Sequence, residues 1–391
     1  MTSMLKSAGL SRSLRSFFDL LSFRKADTED AAKNELKHRT DERKASRDGA
    51  KAAHDEGVVA ALQSGPGNMQ VSVVVPTYNR PDLLDRCLRA LAAQVFDATR
   101  YEIIVVDDGP HQATREVAEK WRDKLRITGP RILYIPSSGP HGPAAARNRG
   151  WESASSAVIA FTDDDTIPYR DWLTNGLAAF DGNVQAAWGR IVMPFAGTPT
   201  DYERDAKNLE TAEFVTANCF CLRQVLEDLG GFDERFRLAW REDADLYFRL
   251  LQADIAIAHV PQAVVEHPIR PARWGVSLSQ QKKVQFDALL FKKHRAMYRK
   301  KIRASARWDY YAIVLCLLGM LVAPFTDYPR AGLVAGIIWL ALTGRFCLQR
   351  LRGTVLTPSH VAEMIVTSML IPPLAVFWRI VGIIRFRVGF A

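Results

Sequence analysis

Residues 71–80 read VSVVVPTYNR, a run of small and β-branched residues that ends in a polar turn. A continuous apolar run of this length is typical of a parallel strand that is covered on both faces. Three further runs share this pattern: IIVV at 103–106, ILYI at 132–135 and AVIAF at 157–161. Helical patterns lie between the runs, at about 81–94, 112–123 and 142–152. The alternation predicts an α/β fold with a doubly wound sheet.

Carboxylates follow two of these strands. Asp107 and Asp108 come after the second run, and residues 163–165 after the fourth are all aspartate. Ligands of a doubly wound sheet bind beyond the carboxyl ends of its strands, where a carboxylate can accept from a ribose hydroxyl or hold a hard divalent ion. Helix capping accounts for one aspartate per turn but does not readily explain three in succession. The pattern therefore predicts a nucleotide and metal site.

Six segments occur in a characteristic order: VVVPTYNR at 73–80, VVDDG at 105–109, ARNRG at 146–150, FTDDD at 161–165, GGFDE at 230–234 and EDADL at 242–246. Together they resemble the family 2 glycosyltransferases, which have the GT-A fold. The resemblance covers about residues 70–270 and stops short of the apolar C-terminal region. It implies an inverting enzyme that uses a UDP- or GDP-type nucleotide-sugar donor and Mg²⁺ or Mn²⁺.

The resemblance also assigns donor and metal contacts. Nucleotide-sugar binding falls to Pro76, Thr77, Tyr78, Asn79, Asp107, Asp108, Arg147, Asp163 and Asp164. Asp163 and Asp165 match the ends of the family's D-x-D motif, which binds the metal and the donor diphosphate. Asp165 is the first choice as direct ligand. His267 is a candidate to complete the metal shell, with a structural role as the alternative.

The catalytic candidates are Asp243 and Glu242. Asp243 matches the acid of the family's Glu-Asp motif that serves as catalytic base. Chemistry supports such a role independently, because an acceptor hydroxyl needs a proton acceptor opposite the departing diphosphate. Acids in a first helical turn could simply favour the helix dipole. That alternative explains their placement but not their agreement with five other motifs.

Acceptor contacts are expected from Trp240, Arg273 and Trp274. Residues 270–274 read RPARW and resemble the Q-x-x-R-W motif of processive polysaccharide synthases, although the first residue departs from it. With about three membrane spans there is little material for a polymer channel, which favours transfer of single sugars. Trp188 and Asn218 are further candidates for the acceptor pocket, or else core residues.

The net charge of +9 over 391 residues is concentrated in one place. Residues 282–307, called the basic segment below, contain ten basic residues and one acid, whereas residues 1–281 are mildly acidic. This distribution speaks against a nucleic-acid partner. It predicts that the basic segment binds anionic lipid of the cytoplasmic leaflet, at about 1 kcal/mol for each basic residue close to the surface.

Three apolar stretches follow, at 310–325, 331–342 and 361–384. Each alone could be a buried helix of a soluble domain, but three in succession behind a basic segment predict membrane insertion. The basic segment and an expected loop with Arg345, Arg350 and Arg352 both favour the cytoplasmic side. They predict a multi-pass protein of the inner or plasma membrane with a cytoplasmic catalytic domain. Pro372 and Pro373 are expected to break the third stretch, which is then either a span or a re-entrant or interfacial helix.

These observations predict four regions: an amphipathic arm and charged linker at 1–69, a catalytic domain at 70–281, the basic segment at 282–307 and membrane helices at 308–391. The predicted function is sugar transfer to a membrane-associated, lipid-linked or glycan acceptor, in the synthesis of a cell-envelope polysaccharide or glycolipid. One alternative is a nucleotidyltransferase, which would more typically have a Gly-rich loop after its first strand. Another is a silent membrane adaptor, against which the intact Asp163, Asp165 and Asp243 argue.

Overall fold

The computed structural model describes residues 69–180 and 182–389. The predicted arm at 1–69 therefore lies outside the described residues, apart from its last position. Eight strands form one sheet: β1 Val71–Thr77, β2 Tyr101–Asp107, β3 Arg131–Pro136, β4 Val158–Phe161, β5 Ile167–Pro168, β6 Ala186–Val192, β7 Cys219–Leu222 and β8 Ile257–Glu266. Their order is β3-β2-β1-β4-β7-β6-β8-β5. Strands β1 to β4 are parallel, and β7 runs antiparallel to both of its neighbours, so the sheet is mixed.

Helices cover the sheet and form the C-terminal region. The α-helices are α1 Pro81–Ala92, α2 Gln112–Leu125, α3 Pro143–Glu152, α4 Trp172–Leu177, α5 Asp201–Ala206, α6 Arg223–Leu229, α7 Glu242–Gln252, α8 Val276–Gln280, α9 Gln285–Lys293, α10 Arg295–Met297, α11 Trp308–Val322, α12 Pro329–Leu351 and α13 Pro358–Phe386. The first three match the predicted helical patterns to within a few residues. The expected doubly wound α/β fold is thus confirmed, with the GT-A arrangement of its sheet.

Strand register brings the two acidic clusters to one edge of the sheet. Strand β1 is buried at all seven positions, and its last residue, Thr77, lies opposite Asp107 of β2. On the other side of β1, Phe161 at the end of β4 lies opposite Val74. The aspartates after β4 therefore continue toward the same edge as those after β2.

Helix α3 packs tightly on β1 because Gly150 has no side chain. A Cβ at this position would lie only 2.3 Å from Val74 Cγ1. The close approach explains why glycine ends the ARNRG segment. It also sets the distance between the sheet and Arg147, one turn earlier on the same helix.

Helices α11, α12 and α13, with the 3₁₀ turn after α11, are long and apolar enough to cross a membrane. The expected break at Pro372 and Pro373 is wrong, because α13 continues through both prolines over 29 residues. Such prolines are tolerated where neighbouring helices and local adjustments satisfy the freed backbone groups.

The three apolar helices differ in how much of their surface the rest of the protein covers. In the most apolar stretch of α13, 39% of the residues are buried. The corresponding share is 6% for α11 with its 3₁₀ turn and 11% for α12. Helix α13 lies against α9, where Arg385 Nη1 donates to Gln285 Oε1 at 2.8 Å. The C-terminal helix is therefore packed onto the chain that follows the catalytic domain.

The expectation that Arg345 and Arg350 lie in a charged loop is also wrong, since both belong to α12. Arg350 is buried and forms an ion pair with Asp201 Oδ2 at 2.7 Å. It also donates to the hydroxyls of Thr367 and Ser368 in α13. A guanidinium with these partners ties α12 and α13 to the catalytic domain and is unavailable to lipid.

Asn218 is a core residue, one of the two roles that its sequence context left open. Its Oδ1 accepts from Trp172 Nε1 at 2.8 Å, and its Nδ2 donates to the carbonyl oxygens of Arg190 and Ala263, both at 2.9 Å. Trp188, which is half-buried, stacks on His259 with the ring centroids 5.0 Å apart. The amide of Asn218 thus joins helix α4 to strands β6 and β8 of the sheet.

Replacing Asn218 by alanine should lower the free energy of unfolding by about 3 kcal/mol, because a buried N–H and two carbonyls lose their partner. Chemical denaturation in detergent would measure the loss. The control is Asn208→Ala, since Asn208 is exposed and its amide makes only a 3.5 Å contact to Asp205. Equal stability of the two variants would contradict the structural role of Asn218.

Candidate active site

The site is organised around one buried cation, Arg147 of α3. The residue is 3% exposed. Its Nη2 donates to Asp163 Oδ1 at 2.7 Å, and its Nη1 donates to Glu242 Oε1 at 3.1 Å. One guanidinium therefore joins a carboxylate that follows β4 to a carboxylate that opens α7. The sequence-predicted metal and catalytic residues lie together for this reason.

Arg147 also controls the ionisation of its two partners. Burial acts to raise the pKa of Asp163, but the charge and hydrogen bond of Arg147, with smaller contributions from His267 and Arg80, together outweigh it and keep the pKa below its ordinary value. The pKa of Glu242 is raised by burial and by the neighbouring Asp243 carboxylate, which together exceed the attraction of Arg147. Glu242 Oε2 is buried and has no hydrogen-bond partner among the described residues.

Three residues provide a possible metal site: Asp163, Asp165 and His267. Each offers one ligand atom, and these atoms lie within 4.8 Å of one another. His267 Nε2 lies 3.5 Å from Asp165 Oδ1, and His267 Nδ1 is buried and has no hydrogen-bond partner among residues 69–180 and 182–389. Two carboxylates and an imidazole form a donor set that suits Mn²⁺ and also accommodates Mg²⁺. The residues present therefore fit the ion that the resemblance implies.

Asp164 points away from this group. It is fully buried, accepts from Thr77 Oγ1 at 2.7 Å and forms an ion pair with Arg80 at 2.8 Å. Burial raises the pKa of Asp164 to about 7. Asp164 and Thr77 thus fasten the turn after β4 to the end of β1. Their predicted contacts with the donor remain predictions.

The acids after β2 organise the neighbouring loops. Asp107 is fully buried and accepts from the backbone N–H of Gly109 and His111 and from the Tyr134 hydroxyl. Asp108 accepts from the Gly142 N–H at 2.8 Å, which connects the β2 loop to the start of α3. These hydrogen bonds fix the edge at which the nucleotide is expected.

The turn after β1 places the exposed side chain of Tyr78 at this edge of the sheet. Tyr78 is 62% exposed, and its ring lies against Gly109, where a Cβ would stand 2.5 Å from Tyr78 Cε2. Asn79 has a φ of 50°, in the left-handed region, while Pro76 is buried in β1. Tyr78 and Asn79 are therefore accessible to a ligand, and Pro76 acts through the backbone it holds.

The catalytic candidates open α7. The preceding residue, Arg241, has a φ of 77°, a conformation that costs a residue with a side chain about 1–2 kcal/mol. Asp243 is half-buried, and its Oδ1 accepts from the Ala244 N–H at 2.6 Å. Burial raises the pKa of Asp243 above its ordinary value, against the opposing effects of that hydrogen bond and of Arg241 and Arg147. A carboxylate with a raised pKa is a better proton acceptor than an exposed one.

A cavity of about 260 Å³ lies between the catalytic domain and the C-terminal helices. Its lining comes from the start of α5, from the loop after β8, from the end of α12 and from the start of α13. Arg273 lines this cavity, as does Arg270, whose Nε lies 3.2 Å from Asp165 Oδ2. Trp274 Nε1 lies 3.4 Å from the Ser359 carbonyl in the first turn of α13. Trp240 is partly exposed and lies apart, with Nε1 donating to Asp287 at 3.0 Å.

Four residues of the site carry no assignment from the sequence: Arg80, Arg241, Arg270 and Asp287. Arg80 is the last residue of the PTYNR segment, so its position could have indicated a role. Arg270 could have been noticed as the residue that departs from the Q-x-x-R-W pattern. The pairing of Arg241 with Asp287 spans 46 positions and leaves no local signal.

A GT-A sheet that ends in a D-x-D cluster, faced by a helix that opens with Glu-Asp, defines a glycosyltransferase. The sequence profile described as Glycosyl transferase family 2 matches residues 72–234. Glycosyltransferase AglE of Haloferax volcanii is 30% identical over 227 residues, which cover 55% of this chain and 71% of that protein. The chain belongs to glycosyl transferase family 2.

Two further proteins are similar to the chain. The pre-mycofactocin glycosyltransferase of Mycobacterium tuberculosis is 31% identical over 226 residues, or 53% of this chain and 44% of that protein's length. A solved structure of mannosyltransferase PcManGT from Pyrobaculum calidifontis, in complex with GDP-Man and Mn²⁺, aligns with a TM-score of 0.51. It covers 86% of this chain and 96% of that chain at 19% identity, which supports the fold.

Replacing Arg147 by methionine should lower the free energy of unfolding by about 3–5 kcal/mol, because Asp163 and Glu242 would be left buried without their cation. Denaturant titration would measure the difference. The control is Arg89→Met, which removes a 72% exposed partner of Asp85. It should cost less than about 1 kcal/mol. A loss for Arg147→Met no larger than for this control would show that the buried cation is dispensable.

Proposed function

We propose that this glycosyltransferase is an inverting, metal-dependent enzyme that transfers a sugar from a nucleotide-sugar to a membrane-associated acceptor. The observation that carries the proposal is the position of Arg147, which contacts both Asp163 and Glu242. Asp163 on the donor side and Glu242, the neighbour of the proposed base Asp243, thereby bind two nitrogens of the same guanidinium. Such an arrangement suits a displacement in which the leaving group and the nucleophile lie on opposite faces of the sugar.

Asp163, Asp165 and His267 would hold Mg²⁺ or Mn²⁺ beside the donor diphosphate. When bound, the ion supplies positive charge that stabilises the departing nucleoside diphosphate. Arg80 and Arg270 lie next to Asp165, at 3.4 and 3.2 Å, and are available to the phosphate oxygens as well. The presence of GDP-Man and Mn²⁺ in the PcManGT structure is consistent with a GDP-type donor, and a UDP-type donor has the same diphosphate chemistry.

Asp243 is the proposed base. The acceptor hydroxyl transfers its proton to the Asp243 carboxylate as its oxygen bonds to the anomeric carbon. The bond from that carbon to the diphosphate oxygen breaks, and its electron pair leaves with the nucleoside diphosphate. One carboxylate on the face opposite the leaving group is sufficient for inversion. Glu242, paired with Arg147, keeps the guanidinium oriented next to this base.

The acceptor is proposed to approach through the 260 Å³ cavity, which is lined by the apolar helices α12 and α13 and by Arg270 of the catalytic domain. Arg270 belongs to the cavity and touches Asp165, so an acceptor held there would lie close to the donor. Arg273 and Trp274 are exposed at this side, and Trp240 is exposed near α7. A lipid-linked acceptor, used in envelope polysaccharide or glycolipid synthesis, fits a site bounded by membrane helices.

We further propose that the apolar helices form a multi-pass anchor and that the catalytic domain at 70–281 faces the cytoplasm. Seven basic residues of the 282–307 segment are exposed: Lys282, Lys292, Arg295, Arg299, Lys300, Lys301 and Arg303. Lys293 and Lys301 are paired within the protein: Lys293 with Asp233 and Asp245, both at 2.6 Å, and Lys301 with Glu213. The number of residues available to anionic lipid is therefore smaller than the sequence count.

Substitutions of the base and of a metal ligand should have separable effects. Asp243→Asn should abolish sugar transfer but keep stabilisation by Mn²⁺ and nucleotide, because the proton acceptor alone is lost. Asp165→Asn should abolish transfer and the Mn²⁺ effect together. Thermal unfolding of the detergent-solubilised protein with a panel of nucleotide-sugars, followed by turnover of the donor that binds, would measure both.

The matched control is Asp82→Asn, an exposed position in α1, which should behave as the wild type. Wild-type transfer by folded Asp243→Asn would show that the proposed base is wrong. Release of pyrophosphate would identify a nucleotidyltransferase. No stabilisation by any nucleotide would favour the membrane adaptor.

The rate of transfer should depend on pH through Asp243. The base works only when deprotonated, so kcat should fall as the pH is lowered through its pKa. Because burial raises this pKa above 3.8, the decline should begin at a higher pH than for an exposed aspartate. A kcat profile at saturating Mn²⁺ and donor would test this. A rate that stays constant down to about pH 4 would contradict it.

A further inference from the structure

Helix α9 contacts the residue that precedes the catalytic turn. Asp287 Oδ1 accepts from Arg241 Nε at 2.6 Å and from Trp240 Nε1 at 3.0 Å. The Arg241 guanidinium also lies 4.4 Å from the centroid of the Trp240 ring. One carboxylate oxygen on α9 thus fixes two consecutive residues immediately before Glu242.

The same helix contacts α7 on the other side of the catalytic turn. Asp245 is fully buried, and its Oδ1 lies 2.6 Å from Lys293 Nζ and 3.0 Å from His294 Nε2. Lys293 is the last residue of α9, and His294 follows it. Helix α9 therefore contacts α7 and its preceding turn both before Glu242 and Asp243, at residues 240 and 241, and after them, at Asp245.

Of these contacts, the one between Asp287 and Arg241 matters most for the position of the base, because the backbone of Arg241 is in the left-handed region. A non-glycine residue keeps this conformation only where its surroundings hold it there. The φ of Arg241 sets the direction in which α7 starts, and hence the position of the Asp243 side chain two residues later. The ion pair with Asp287, a residue of which 13% of the side chain is exposed, provides that hold.

The opposite face of α9 rests on the apolar helix α13. A Cβ at Gly382 of α13 would lie 2.5 Å from the Gln285 carbonyl oxygen, so the two backbones are in direct contact. Lys292 Nζ also donates to the Phe386 carbonyl at 2.8 Å. The position of α9, and with it that of Asp287, is therefore set by the C-terminal helix.

We propose that Asp287 is a positioning residue for the transfer reaction: it holds Arg241 in the left-handed conformation and thereby places the Asp243 carboxylate for proton transfer. Packing of α9 on α13 makes the C-terminal apolar helix part of this arrangement. The inference rests on the proposed role of Asp243 as base. A misplacement of about 1 Å at a reacting group can reduce the rate by about a hundredfold, so a residue outside the reacting centre can have a large effect.

The test compares full-length variants in detergent, with the nucleotide-sugar that the wild type hydrolyses and with water as acceptor. Asp287→Ala should lower kcat about tenfold or more. Its KM for the donor should stay within about twofold, and its stabilisation by Mn²⁺ should equal that of the wild type, because the donor side is untouched. Asp287→Glu, which keeps the charge, should recover part of kcat. Asp123→Ala, at a 73% exposed side chain in α2, is the control and should match the wild type.

Asp243→Asn is included so that two failures can be distinguished. Wild-type hydrolysis by Asp243→Asn overturns the proposed function itself. An inactive Asp243→Asn beside an Asp287→Ala variant with wild-type kcat overturns the positioning role alone. An equal loss of kcat, Mn²⁺ stabilisation and donor binding in Asp287→Ala also overturns it, because that pattern indicates general damage.

A second variant acts from the other side of α9, should Asp287→Ala not fold. Gly382→Ala would place a methyl group against the Gln285 backbone and displace α9. It should lower kcat without changing the donor KM. Gly344→Ala in α12 is the matched control, since nothing lies within 4 Å of its added Cβ. Equal kcat for these two glycine variants would overturn the link between α13 and the base.

Discussion

The site depends on a buried guanidinium that must satisfy two carboxylates at once. Transfer of charged groups out of water is costly, and it is tolerated only where opposite charges lie close together. Arg147 meets this condition with Asp163 on one side and Glu242 on the other. The close packing of Gly150 on Val74 fixes the distance of α3 from the sheet, and so the depth of Arg147. Since the three charges are interdependent, the end of β4 and the start of α7 form one site.

Local sequence patterns predicted a large part of this arrangement. Apolar runs indicated β1 to β4, because strands covered on both faces need such runs, and the strand register confirmed that the acids after β2 and β4 meet at one edge. The resemblance indicated Asp163, Asp165, His267 and Asp243 as candidates. The proximity of the first three was expected from the resemblance and is present in the structure, with their ligand atoms within 4.8 Å.

Contacts between residues far apart in sequence could not be predicted in this way. The pairs Arg147–Glu242 and Arg241–Asp287 span 95 and 46 positions, and no periodicity connects their members. The basic segment was misjudged in part for the same reason, since charge counts do not reveal that Lys293 is paired within the protein. Arg350 was expected in a charged loop, whereas it is buried in α12 and its partners lie in α5, α8 and α13. The two prolines of α13 do not break the helix, because the packing of α13 outweighs the tendency of proline to end a helix.

The carboxylates after β4 are proposed to form a metal site beside the base at the start of α7. The most direct measurement is anomalous diffraction at the manganese absorption edge, from crystals of the full-length protein grown with Mn²⁺ and a nucleoside diphosphate. If Asp163 and Asp165 hold the metal, one strong anomalous peak is expected about 2.0–2.2 Å from an oxygen of Asp165 or Asp163, with the diphosphate in contact with it. A peak away from these residues, or a diphosphate bound without manganese at this edge, would contradict it.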